Sequence, residues 1–389
     1  MRMDTGPVEP AEVPRDPAGE PSMRVVFVGE PDNGIRPSSH NAAALAAIGV
    51  ETRFDQDWGW RSGRWTELCR WADVLHLVTY SQCNAMLLRK LWRARARGLA
   101  IVRYWVGTDV LWARFHEPSR RFARALEHLG VLNLAVADHL VEELAEAGIT
   151  AEATPVITPH ISATTEPHPL PKELTVLCYL PTRRRTFYGG PVIDRLIAEL
   201  PDVRFIVLAD RGTDYSRFPS VESLGFVDDL ERTIGRCTVH VRPTAHDGMP
   251  RLVLEMLARG RHAVTPHPYA HCRQATDVEA MKRVLLQLRR SAEFNLAGRE
   301  YVCERFETPR AAAELCGRID RSREPAGPAC RCRGRRQAAQ LLARCPWLLS
   351  RRIDPLPAPE DLPPEAEALR LSLIGDRTAE RVCQEVPAE

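Results

Sequence analysis

Twice along the 389 residues, short unbroken apolar runs alternate with segments of helical periodicity, and a proline-rich stretch divides the two series. The first series has strand-like runs at residues 24–29, 74–79, 99–104 and 132–135. Helical patterns lie between or after them, at about 39–48, 85–97 and up to Gly148. The second has strand-like runs at 174–179, 203–209 and 238–242, with helices at 191–200, 230–235, 251–258, 278–289 and 293–306. Unbroken apolar strands are the mark of parallel sheets covered on both faces. Between the series, Pro159, Pro167, Pro169 and Pro171 mark a linker. The expectation is an α/β protein of two doubly wound, Rossmann-like parallel-sheet domains facing a cleft. Ligands then bind beyond the carboxyl ends of the strands.

The length also exceeds one comfortable core. The expected division is a disordered extension at 1–22, a domain at 23–158, a linker at 159–172, a second domain at 173–320, and a poorly structured Arg/Pro-rich tail at 321–389. Met23, just before the first strand, is an alternative start. A net charge of +2 gives no electrostatic pointer to nucleic acid, and none is expected as a partner. No apolar run approaches the ~20 residues of a membrane span, and no secretory h-region opens the chain. Eleven cysteines without framework spacing suit free thiols in a reducing cytosol. Cys330-x-Cys332 is too tight and isolated for a zinc site.

The stretch most informative about chemistry reads T-V-H-V-R-P-T-A-H-D-G-M-P-R-L-V-L-E-M-L-A-R-G, from Thr238 to Gly260. A short strand leads into a turn carrying Asp247 and Gly248. Pro250 can then open a helix that Gly260 closes. The first N–H groups of such a helix attract anions. Glu255 falls roughly 7.5 Å along its axis, at 1.5 Å per residue. A diphosphate at the amides and a ribose at the carboxylate would fit this spacing. An ordinary strand–turn–helix with Arg251 and Glu255 paired at i, i+4 would fit it too.

The segment resembles the donor-site signature of family 4 glycosyltransferases and their GT-B relatives, E-G-x-G-x-x-x-x-E followed by A-M-A-x-G. Asp247 and Glu255 keep the spacing, and Met249-Pro250 stands where the family usually has an aromatic and a glycine. Further segments resemble the family in order: Ala72-Asp73-Val74-Leu75-His76, Trp105-Val106-Gly107-Thr108-Asp109-Val110, Val136-Ala137-Asp138-His139-Leu140, and Gly225-Phe226-Val227 before Leu230. Val106 takes the place of a frequent histidine, and the loop 266–277 is shorter than usual.

The resemblance implies a metal-independent hexosyltransferase. Its co-substrate is a nucleotide sugar, with no further cofactor. Its acceptor is a hydroxyl on a glycan, a lipid-linked group or a small molecule, and transfer proceeds with retention. Glu255 would hold ribose and Asp247 the sugar hydroxyls. Arg183, Arg184 and Arg185, with the Gly248-Met249-Pro250 turn and helix start, would hold diphosphate, since guanidinium suits phosphate. Which arginine does so is open at this stage, and a solvated basic turn is the alternative. Gly34, after the first strand, would line the cleft. Asp247 and His76 are the catalytic candidates; His76, like His40, falls near the expected cleft, while its mid-strand position is more usual for a core residue. His267 and His271 are considered as metal ligands and set aside, so no metal is expected.

Seven of the eight tryptophans fall between Trp58 and Trp112, where they suit sugar rings, lipid interfaces or core packing. The basic helical stretch 89–97 would either rest on anionic lipid at the inner face of the membrane or face solvent. Two other functions share the pattern, a sugar-nucleotide epimerase of GT-B fold and a catalytically silent nucleotide- or glycan-binding protein.

Overall fold

The computed structural model describes residues 23–29, 36–55, 63–78, 85–159, 161–162, 167, 169–291, 293–323 and 336. Gly34, the 1–22 extension, Cys330, Cys332 and nearly all of the tail lie outside them.

The first series folds as β1 (Arg24–Val28), α1 (Pro37–Ala47), β2 (Glu51–Asp55), α2 (Trp65–Trp71), β3 (Val74–Leu77), α3 (Ala85–Ala96), β4 (Ala100–Trp105), α4 (Thr108–Phe115), α5 (Glu117–Glu127), β5 (Leu132–Ala135), α6 (Asp138–Glu146) and β6 (Glu152–Ala153). The second continues as β7 (Thr175–Tyr179), α7 (Gly190–Glu199), β8 (Arg204–Leu208), β9 (Val221–Gly225), α8 (Leu230–Gly235), β10 (Val239–Val241), α9 (Arg251–Ala258), β11 (His262–Thr265), β12 (Arg273–Gln274), α10 (Val278–Ser291), α11 (Leu296–Arg305) and α12 (Thr308–Ser322).

Each series forms one six-stranded sheet, in the orders β2-β1-β3-β4-β5-β6 and β12-β11-β10-β7-β8-β9. Every strand pairing is parallel. In both sheets the chain starts at an interior strand, builds out to one edge, then returns to the other side of its first strand. With right-handed crossovers, that reversal places helices on both faces.

Interior strands explain the apolar runs. β3, β4, β10 and β11 are buried throughout, as is β7 up to Tyr179. Val26, Val28, Leu75, Leu77 and Ile101 pack with Leu88, Leu91, Phe122 and Leu126 in the first core. In the second, Leu177, Ile206 and Leu208 meet Ile234 and Met256. The polar β2 and β9 lie at sheet edges, where one side needs no apolar cover.

The chain divides into two units, and one assignment differs from the expected boundaries. Residues from Arg305 onward through α12 belong with the first unit, not with the second domain expected to run to 320. α12 packs on α1 and β4 through a face that buries Ala311, Ala312, Leu315 and Ile319. Arg318 reaches Glu152 at 2.8 Å, and the Thr308 hydroxyl donates to the Thr158 carbonyl at 3.0 Å.

The tryptophans described here are core residues. Trp65, Trp105 and Trp112 are buried, and Trp71 and Trp92 pack against the first core. The basic stretch 89–97 is also less exposed than its composition suggests. Arg95 is buried and donates through Nε to the Leu129 carbonyl at 3.0 Å, and Lys90 lies over the Trp65 ring at 5.2 Å. Arg93 and Arg97 face solvent. Among the described residues no helix is long and apolar enough to cross a membrane.

Candidate functional site

In the second sheet the strand order reverses between β7 and β10, so the loops that follow these two strands lie side by side. Such a switch point is where open α/β sheets take ligands. The loops are locked together: Ala245 N–H donates to the Phe187 carbonyl at 3.0 Å. Gly189, at φ +78, sits so close to Pro243 that no side chain could be accommodated there.

The loop after β10 carries the acidic glycine turn. Arg242, at the end of the strand, points its guanidinium at Asp247 Oδ2; the Nε contact is 2.6 Å and Nη2 adds a second. Asp247 Oδ1 accepts the Gly248 N–H at 3.0 Å. Burial disfavours the charge on Arg242, but Asp247 outweighs it and keeps the guanidinium firmly protonated. Asp247 therefore shapes the turn before it can do anything else.

The short loop after β11 holds the same turn from behind. The Tyr269 hydroxyl donates to the Gly248 carbonyl, and His267 Nε2 lies 3.1 Å from the Thr244 carbonyl. The His271 ring lies tilted against Tyr301, with ring centroids 5.0 Å apart. Sequence reasoning missed these supports. The arginine one residue after a buried strand and five before Asp247 was the available signal.

α9 begins at Arg251, with Pro250 in the extended N-cap position, one residue earlier than the first-turn place expected. Gly260 closes it at φ +68, with the Arg261 N–H returning to the Met256 carbonyl at 2.9 Å. Glu255 is the fifth helical residue and is half-buried. Gly248 and Met249 form the turn leading into Pro250, as expected from the chain order.

The three arginines after β7 separate sharply. Arg183 is exposed. Arg184 has a left-handed backbone at φ 64 and lies over the Phe187 ring at 4.3 Å. Its Nε and Nη2 are buried and find no acceptor among the described residues. Arg185 is fully engaged. Nη1 and Nη2 grip Asp194 at 2.9 and 2.6 Å, Nε meets Asp210 at 2.9 Å, and Nη2 also meets the Tyr215 hydroxyl at 2.8 Å. Arg185 thus departs from the expected phosphate role, because its donors are already taken by carboxylates and a phenol.

His76 also departs from expectation. It is fully buried in β3 between Phe27 and Tyr104, with ring centroids 4.6 and 5.6 Å away. Neither ring nitrogen has a hydrogen-bond partner among the described residues, and burial pulls the imidazole down to about 3. A neutral ring walled off from solvent cannot take a proton from a substrate hydroxyl, so His76 is a core residue.

In the first unit the Trp105–Val110 segment is a capped turn. Asp109 accepts N–H groups from Val106, Gly107 and Val110 at 3.1, 2.8 and 3.1 Å while Gly107 sits at φ +140. Burial is the largest influence on Asp109 and raises its carboxyl above the usual range, against the opposing pull of Arg103 and the Gly107 and Val106 amides.

No family model and no curated protein sequence matches the chain. Solved structures match it in fold. HepE of Anabaena, whose crystal structure holds UDP and glucose, aligns with a TM-score of 0.58 over 77% of this chain and 100% of its own, at 13% identity. Sucrose-phosphate synthase of Thermosynechococcus elongatus gives 0.58 over 77% and 98%, at 12% identity. A glycosyltransferase of Rickettsia africae gives 0.57 over 78% and 99%, at 10% identity. With its two all-parallel six-stranded sheets and their helices, this chain has the GT-B fold.

Proposed function

We propose that this chain is a glycosyltransferase that moves a sugar from a nucleotide diphosphate donor to a hydroxyl acceptor. The observation that carries the reading is Arg184, a cation with buried, unused donors on the switch-point loop, next to the loop that starts α9. Leaving such donors unpaired costs free energy, and an anion that accepted them would recover it. A guanidinium meets phosphate with two parallel charge-assisted bonds, and a helix start adds further N–H groups. Arg183 supplies a second charge from the same turn. Glu255, one turn into α9, suits the ribose hydroxyls. Asp247, held in place by Arg242 and the Gly248 N–H, suits the sugar hydroxyls, and the Gly248-Met249-Pro250 backbone lines the same turn.

Arginines and amides neutralise the leaving diphosphate in this reading, so no metal is invoked. With retention, the acceptor oxygen attacks the anomeric carbon on the face the phosphate leaves. The carbon–phosphate oxygen bond breaks as the new glycosidic bond forms, and the acceptor proton passes to the departing phosphate oxygen. The protein's part is positioning and electrostatics. The ordered segments described above favour family 4 within the GT-B group, and the scattered cysteines suit work in the cytoplasm. A lipid-linked acceptor would suit contact of Arg93 and Arg97 with an anionic membrane surface.

UDP in the HepE structure makes UDP-sugars the first donors to test, with GDP- and ADP-sugars alongside. Slow release of nucleoside diphosphate with free sugar, or transfer to an added acceptor, is the expected result. An isomerised nucleotide sugar would replace this reading with the epimerase. Tight binding without any turnover would replace it with a silent binding protein.

A further inference from the structure

Arg185 is bound by more partners than a loop residue needs for solubility, and these partners come from two other elements. Asp194 projects from α7, while Asp210 and Tyr215 belong to the loop after β8. The Asp210 side chain is 1% exposed. Burial works to raise its carboxyl, but N–H groups of Gly212 and Thr213, together with Arg185, outweigh it and hold the carboxyl below its usual range. Around Arg185 the chain is closed on itself: the Tyr188 N–H meets the Arg184 carbonyl at 3.1 Å, and the Gly190 N–H meets the Arg185 carbonyl at 3.0 Å. A Cβ on Gly190 would lie 2.5 Å from Arg185 Nη1, so the guanidinium fills the space that a side chain would take.

The residue next to this anchor is the strained one. Arg184 is not glycine, yet it adopts φ 64. Such a backbone persists only where its surroundings over-determine it, and outliers of this kind gather at functional sites. Ala209, in the neighbouring loop, is likewise at φ 64, and its carbonyl accepts from Thr182 N–H at 3.4 Å. The Arg211 N–H meets the Thr182 hydroxyl at 3.0 Å. Both loops are therefore pinned at the point where Arg184 turns.

We propose that Arg185, held by Asp194, Asp210 and Tyr215, is a positioning residue that fixes Arg184 in its left-handed turn so that the Arg184 guanidinium is already placed for a diphosphate. The inference rests on the donor-site reading above. Arg184 meets the anion; Arg185 meets only protein and acts through its neighbour. Pre-placing a single charged donor in this way removes the ordering cost that a free arginine would carry into binding.

A double-mutant cycle distinguishes this from simple loop stability. UDP, GDP and ADP are screened by calorimetry, and the tightest binder is carried forward with inorganic pyrophosphate. Arg184→Ala is expected to weaken both ligands about tenfold or more. Asp194→Asn, which keeps the Arg184 side chain but loosens the hold on Arg185, is expected to weaken both about fivefold while the urea midpoint changes little. In the Arg184→Ala background, Asp194→Asn should cause no further loss. Gly190→Ala, which displaces Arg185 without touching Arg184, should reproduce the Asp194→Asn effect.

Losses that add in the double variant, or an Asp194→Asn protein with wild-type affinity, overturn the positioning role and leave the donor site standing. Failure of the wild-type protein to bind any of the nucleotides or pyrophosphate overturns the donor site itself, and the positioning role with it.

Discussion

Gly189 and Pro243 approach so closely that a Cβ on the glycine would run into both the ring Cγ and the carbonyl oxygen of the proline. The glycine caps α7 in the left-handed region, at φ +78, so backbone and space alike exclude a side chain. This contact seats the loop after β7 on the loop after β10. Gly189→Ala is expected to lower stability by about 2–4 kcal/mol, from the backbone penalty and the overpacking together. The urea midpoint measures it, and nucleotide affinity should fall in parallel because both loops carry the proposed donor site.

Glu255 tests the nucleoside end of the proposed donor site. It is half-buried on α9 and outside the apolar core, so Glu255→Ala should change stability by no more than about 1 kcal/mol. Loss of charged hydrogen bonds to ribose should weaken nucleotide binding about 10- to 100-fold. Calorimetry with nucleoside diphosphates checks it. Unchanged affinity in a folded variant would remove Glu255 from the site.

Asp247 and Arg242 make a more complex case, because their side chains are only 18% and 11% exposed. Asp247→Ala strands a buried guanidinium and should cost about 3–5 kcal/mol, in addition to any loss of transfer. Replacing both partners, Arg242→Met with Asp247→Leu, should recover much of that stability. Sugar transfer should stay lost in the double variant. Recovery of transfer with the apolar pair would show that Asp247 serves only to hold the turn.

His76 and His240 give the fold a pH dependence. Burial is the main cause in both, aided at His240 by Arg242, and it lowers them from 6.5 to about 3. The unfolded chain takes up these protons near pH 6.5, whereas the folded chain refuses them until about pH 3. Stability is therefore undiminished by these rings above the unfolded value. It falls as the pH drops through the window between the two values, at about 1.4 kcal/mol per pH unit for each histidine. His76→Leu should reduce the slope of unfolding free energy between about pH 6 and 5 by one histidine's share. It should leave sugar transfer intact, since the ring reaches no solvent.

Much of the architecture could be read from the chain because interior strands of a parallel sheet must be apolar end to end. Runs such as Val25–Val28 and Phe205–Leu208 stand out for that reason. β2, with Glu51 and Arg53, and β9, with Glu222 and Ser223, lie at edges and carry no such signal. α5 is not among the expected helices, although it buries Phe122, Ala123 and Leu126 along one side. At the site, Asp247, Glu255 and the arginine triplet are visible as residue types at a spacing. Their division of labour is not, because Arg184 and Arg185 differ only in what the fold places beside them. Asp194, Asp210 and Tyr215 are 9, 25 and 30 residues away from Arg185. The mid-strand position of His76 points toward the core, but that Phe27 and Tyr104 close over the ring is settled only by the fold.

α12 makes the first unit dependent on the far end of the chain. During synthesis, β1 to β6 leave the ribosome well before Ala311, Leu315 and Ile319 exist to cover α1 and β4. The early unit must wait, with an apolar strip uncovered, until the second has been made. A nascent chain halted just short of α12 should therefore engage chaperones more readily than the finished protein, and no gene fragment ending at the linker can yield a complete N-terminal half.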